Sequence, residues 1–255
     1  MAEVCAGTVS DALLFGKLMN RGWYSHPKLR EPGMHILSRA DFKCASCGFR
    51  SQPSKQVLHG YMLPVDRRHP GLIALSHKGE CLCPLCASAL GLNWSVVGLV
   101  QSDRQVLAPG MLIAQPALSQ VEINRIALHV ISASATPDSG SPIASAARDI
   151  DAAMTALNQE LGTSIPFYRG KDSDFARALA LIPPELYEQR QSILGHLRWW
   201  PNVRFWRQQG TYWMQSTYAA LQASDNELQE VLAKSTTPAL GRSLPLAGWV
   251  DQGKP

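Results

Sequence analysis

The sequence predicts an α+β fold: a β-rich core over residues 34–133 followed by a mainly helical part over 143–234. Three observations lead there. Cysteines come in two pairs, Cys44-Ala-Ser-Cys47 and Cys83-Pro-Leu-Cys86, set among short β-rich pieces. Apolar residues switch to helical spacing after a Ser/Pro/Gly-rich stretch at 132–142. The chain, at 255 residues and 45% hydrophobic, is long enough for one large or two modest domains.

Two residues between paired cysteines let both sulfurs reach one ion, and two such knuckles complete a tetrahedral thiolate site. Gly48 follows Cys47 and can take the positive φ of a tight turn, while Pro84 stiffens the second knuckle. Cys44, Cys47, Cys83 and Cys86 are therefore the expected ligands of one structural Zn2+ per chain. An iron–sulfur cluster and a disulfide framework are the alternatives that four cysteines leave open. Cys81 competes with Cys83, although one intervening residue strains a tetrahedral site more than two. Cys5 is expected as a free thiol.

Residues 1–33 read as a lead-in, with a short apolar piece at Ala12–Met19 and turn signals at Asn20–Gly22 and Pro32-Gly33. Met34–Ser38 is expected as a strand or helical turn feeding the first knuckle, and Gln56–Leu63 as a strand. Asp66–Gly71 suits a loop. Behind the second knuckle, Ala87–Leu90 begins a helix that Gly91 would end. Ser95–Gln101 and Gly110–Gln115 suggest a hairpin. Ser119-Gln-Val-Glu122 fits a capping box, in which the serine oxygen and the glutamate each satisfy an orphan amide, and Ile123, Ile126, Ala127 and Val130 line one face of the helix that follows.

After the expected linker at 134–142, Ile150, Ala153, Met154, Leu157 and Leu161 form a helical stripe that Gly162 should stop. Further helices are expected around Phe175–Ile182, from Pro184 to about Pro201, over Val203–Leu221, and from Ser224 to Lys234. Residues 235–255 read as a flexible tail. The net charge of +4 is too small to imply a nucleic-acid partner. There is no secretory leader pattern and no run of eighteen apolar residues, so the expected location is the cytoplasm.

The order of a C-x-x-C-G-F-R knuckle, a β-piece with His59, a C-P-L-C knuckle opening a helix, and a hairpin resembles the zinc-stabilised, treble-clef-like scaffold of HNH nucleases. More specifically, Phe42–Arg50, Cys83–Cys86, Pro116–Asn124 and Gly195–Pro201 resemble the IcmJ/DotN family of type IVB secretion and I-type conjugation systems, over about residues 34–220. HNH chemistry would require a metal-binding residue where Leu58 stands, a ligand where Ala87 stands and an asparagine between Gly60 and Glu80 to orient the base. All three are missing, so His59 is not expected to be a catalytic base, His69 and His77 are read as loop residues, and no enzyme activity is expected.

The resemblance implies instead a structural or adaptor subunit of a type IVB coupling complex. Its implied partners are the C-terminal extension of a VirD4/DotL-like coupling ATPase, which would recruit it to the inner membrane, and other coupling-complex subunits. Arg198, Trp199, Trp200, Arg204 and Trp206 are the candidate partner-binding residues, because aromatics and arginines dominate interface energies. The competing reading of the tryptophans is that they are core. A nucleic-acid-binding protein on a degenerate HNH scaffold is the alternative function. It would need its basic residues gathered on one face.

Overall fold

The computed structural model describes residues 4–94, 108–164 and 197–218, together with Pro183, Leu186 and Gln189. Its mixed helices and small antiparallel sheets make an α+β fold. The N-terminal residues are helical: α1 (Ala12–Met19), α2 (Gly22–Ser25) and α3 (Pro27–Arg39). The Asp11 side chain caps α1 by accepting from Leu14 N–H at 2.9 Å. Phe15, Leu18 and Trp23 from this segment are buried in the main core.

Helix α3 takes the helical alternative at Met34–Ser38 and corrects one expectation: Pro32-Gly33 lies inside the helix rather than in a turn. The reason is packing. A Cβ on Gly33 would lie 2.5 Å from the Trp23 ring, so the missing side chain is the space into which that indole fits. Pro27 sits in the first turn, where its missing N–H costs nothing.

The expected strand at Gln56–Leu63 shrinks to β1 (Leu63–Val65), which pairs antiparallel with β2 (Glu80–Leu82). Local turns consume the rest. Gly60 N–H bonds to Val57 C=O, Met62 N–H bonds to His59 C=O, and Gly60 and Tyr61 both take positive φ. Asp66–Gly71 is a loop as expected. Cys83 then caps α4 (Pro84–Leu90), which ends at Gly91.

Strand β3 (Gly110–Ala114) pairs with β4 (Leu197–Pro201) in antiparallel register from Gly110 opposite Pro201 to Ala114 opposite Leu197. This corrects the helix expected to run to Pro201. The other half of the expected hairpin, 95–101, lies outside the described residues. So do the helices expected at 175–182 and 224–234 and the tail at 235–255.

Between these strands in sequence lie α5 (Gln120–Ser134) and α6 (Pro142–Ser164), joined through residues 135–141. The capping box at Ser119 and Glu122 is formed, and Ile123, Ile126, Ala127 and Val130 are buried. Helix α6 continues past Gly162 to Ser164, which corrects the expected stop at that glycine. Its Ile150, Met154 and Leu161 face the same core as the cysteines. Finally, α7 (Arg207–Trp213) packs on α5 and passes into one π-helical turn, Met214–Tyr218. Among the described residues, no helix is long and apolar enough to cross a membrane.

Candidate metal centre

The first knuckle is shaped by its backbone. Cys44 N–H bonds to Phe49 C=O at 2.7 Å and Gly48 N–H returns to Cys44 C=O at 3.0 Å. That reversal needs the φ of +78° that Gly48 adopts. Ala45 N–H then bonds to Cys81 C=O at 2.8 Å, fixing the knuckle to β2. The second knuckle is the start of α4, where the Cys86 amide donates to Cys83 Sγ at 3.4 Å.

These two devices bring the sulfurs of Cys44, Cys47, Cys83 and Cys86 within 4.8 Å of one another, and all four residues are buried. Cys47 Sγ and Cys83 Sγ lie 3.7 Å apart. A disulfide would require ~2.05 Å, whereas metal–sulfur bonds of ~2.3 Å in a tetrahedron place sulfurs about 3.8 Å apart. The six cysteines are thiols without a disulfide. Four soft donors at this spacing can hold a metal ion. Cys81 is buried but is not one of the four, and its part is the carbonyl that holds the first knuckle. Cys5 stands apart from the cluster.

Without a cation, so compact a cluster cannot carry four negative charges. Hydrogen bonds from Cys47, Cys83 and Cys86 hold the Cys44 thiol far below its usual range, while burial pushes Cys83 well up. Hydrogen bonding with the Cys44 thiolate likewise raises Cys86. A divalent ion would relieve this conflict by taking thiolates and releasing protons.

The surroundings supply contacts that the sequence reading missed. Asn124 Nδ2 donates to Cys86 Sγ at 3.3 Å, and Gln120 Nε2 donates to Asn124 Oδ1 at 3.0 Å. Gln120 also grips β4, donating to Trp199 C=O and accepting from Trp199 N–H, both at 2.8 Å. A sulfur is thereby joined through two side-chain amides to the backbone of the second sheet. Arg125 Nε adds a bond to Cys47 C=O at 2.7 Å. One signal was available: Gln120 and Asn124, four residues apart, lie on the buried side of α5 that carries Ile123 and Ala127.

His59 does not join the sulfurs. It is buried against Trp23, Tyr24 and Tyr61, and its Nδ1 accepts from Tyr61 N–H at 3.0 Å. Burial, with Arg21 nearby, lowers its pKa to about 4. The neutral ring with an accepting Nδ1 carries its proton on Nε2. His69 Nδ1 accepts from Gly71 N–H, and His77 contacts the His35 ring 4.5 Å away; neither joins the sulfurs.

Trp199 and Trp200 are fully buried and Trp206 is 2% exposed, so the three tryptophans of the aromatic–arginine segment lie in the core. Trp200 Nε1 bonds to Asp151, and Trp206 Nε1 to Pro109 C=O. Arg198 donates to Leu118 C=O and is half-buried, while Arg204 is exposed. The segment does not present its indoles as surface anchors: Trp199 and Trp200 on β4, and Trp206 just before α7, are all buried in the core. Comparison with models of protein families and with curated proteins finds no match.

Proposed function

We propose that the four cysteines bind one structural Zn2+ and that the chain is a non-catalytic adaptor of a type IVB coupling complex. The observation that carries this reading is the closed donor set: four buried thiols with no place kept for water or substrate, which is how structural zinc sites differ from catalytic ones. The sequence resemblance to the IcmJ/DotN family supplies the biological setting, and the knuckle–strand–knuckle–helix order supports an HNH or treble-clef ancestry. Several features speak against hydrolysis. His59 has its proton on Nε2 and its Nδ1 occupied by the Tyr61 amide, which leaves no nitrogen to accept a proton from water. Leu58 and Ala87 offer no ligand for a second cation.

In this reading the zinc fixes the fold, and the chain binds the C-terminal extension of a VirD4/DotL-like ATPase, which brings it to the inner membrane from the cytoplasm. The test is a pull-down of the zinc-loaded full chain with a peptide of that extension. Retention of the peptide at about micromolar affinity is the expected result. A folded, zinc-loaded chain that does not retain it overturns the adaptor reading.

A further inference from the structure

Three stretches distant in sequence line one cavity of about 320 Å³: Asp151 and Thr155 on α6, Met111 near the start of β3, and Asn202, Val203 and Arg204 in the turn after β4. That volume is in the range of small-molecule sites. Its lining carries opposite charges. Asp151 is partly buried and Arg204 is exposed, and the ion pairs among the described residues are Arg50–Asp41, Arg67–Glu80 and Arg68–Asp66, so the two do not form one. Burial raises the Asp151 carboxyl above its ordinary value, while the Trp200 indole and the Arg204 charge pull it back. Arg204 is thus near enough to be felt and too far to touch, which is the separation a bridging molecule needs.

The local hydrogen bonds of these residues fix them and leave one group of each open. Asp151 Oδ1 accepts from Trp200 Nε1 at 2.9 Å, which leaves Oδ2. Asn202 N–H donates to Pro109 C=O at 2.9 Å, and its Oδ1 accepts from the amides of Arg204 at 3.0 Å and Phe205 at 3.4 Å, which leaves Nδ2 as a donor. Among the described residues, Asp151 Oδ2, Asn202 Nδ2 and the Arg204 guanidinium make no hydrogen bond or ion pair. One cavity therefore combines an anionic acceptor, a cationic fork and an amide donor, with Met111 and Val203 as apolar wall.

We propose that this cavity binds a free α-amino acid with an apolar side chain, its ammonium on Asp151 and its carboxylate on Arg204 and Asn202. The chemistry selects the ligand. A phosphate or nucleotide would meet the Asp151 carboxylate, and the lining holds no aromatic ring to stack a base. A simple amine or a simple carboxylate would leave one of the two charges unanswered. A zwitterion answers both with charge-assisted hydrogen bonds, and a guanidinium fork matches a carboxylate. The site uses none of the four cysteines and does not rest on the adaptor reading.

The test is titration of the full, metal-loaded chain with L-leucine at fixed ionic strength, read by calorimetry and by the NMR signal of the Trp200 indole N–H, which sits on Asp151. Saturation at about millimolar leucine or below is expected, with a shift of that signal. Isoamylamine, which is leucine without its carboxylate, and isocaproate, which is leucine without its ammonium, should each bind about tenfold more weakly. Arg204→Gln changes an exposed side chain and should leave the melting temperature unaltered while weakening leucine about tenfold and sparing isoamylamine. Asp151→Asn, which keeps an acceptor for the indole, should weaken leucine similarly and spare isocaproate. Arg207→Gln, on an exposed position of α7, should change nothing. Absence of saturation, a half-ligand that binds as tightly as leucine, or undiminished binding in Arg204→Gln would each overturn the site.

Discussion

β1 and β2 pair over three residues each beside four thiols, whereas β3 and β4 pair over five residues and bury two tryptophans. The first sheet is too short to persist by its own ladder. In the proposed zinc-bound state its order comes from ligation, which would pin both knuckles at one point. The second sheet joins segments distant in sequence, Ala114 opposite Leu197, and is held by large apolar surfaces packed between α5 and α6. Gln120 and Asn124 bridge the two, so a polar pair inside an apolar helix face couples a thiol to the tryptophan strand. The contrast teaches that one fold can carry two kinds of core, one set by a few donors and one by area.

Breaking the first kind should be the most damaging. Cys86→Ser, or removal of the metal by a strong chelator, should abolish cooperative unfolding, since structural zinc contributes on the order of 10 kcal/mol of apparent folding free energy. Circular dichroism melting would register the loss. A variant that melts like the wild type would mean that the cysteines are only core residues.

The second core should weaken by degrees. Trp199→Ala removes a fully buried indole and should cost about 3–5 kcal/mol in denaturant unfolding, while zinc stoichiometry is preserved. Loss of zinc along with stability would show that the two cores are not separable.

Acid should act on the histidines of both regions in the same direction. His59 and His129 each fall to about 4 through burial, and His129 Nδ1 is held by the Tyr218 hydroxyl at 2.5 Å. The unfolded chain, with ordinary imidazoles near 6.5, binds more protons in this window. The stabilising contribution is therefore complete above pH about 6.5 and declines as pH falls toward about 4. About 3 kcal/mol is at stake for His129. His129→Phe should flatten that slope in a stability–pH series, and an unchanged slope would contradict the assignment.

Two smaller changes probe the joints. Gly33→Ala forces a Cβ to 2.5 Å from Trp23 and should cost about 1–3 kcal/mol by overpacking. Asn124→Leu removes the amide from Cys86 Sγ and takes one of the two acceptors from Gln120 Nε2; it should cost about 1 kcal/mol and loosen zinc about tenfold in a competitive chelator titration. Unaltered zinc retention in that variant would reduce the bridge to packing.

The metal-centred region was largely legible because its signals are local. Cysteine spacing named the four thiols, Gly48 marked the turn, Gly91 the helix end, and Ser119 with Glu122 the capping box. What escaped is non-local. Leu197–Pro201 reads as the end of a helix, since nothing in its own five residues announces a partner at Gly110–Ala114. Pro32-Gly33 reads as a turn, although the glycine serves a tryptophan ten residues away in sequence. The tryptophans illustrate the same limit: composition marks them as anchors or core, and only the tertiary packing around them settles that they are buried.

The most direct measurement is elemental analysis of the purified full chain. About one zinc per folded chain is expected, released as the chain unfolds in chelator. A cooperatively folded chain that carries no metal and is indifferent to chelator would contradict the claim that four thiolates and an ion hold this fold together.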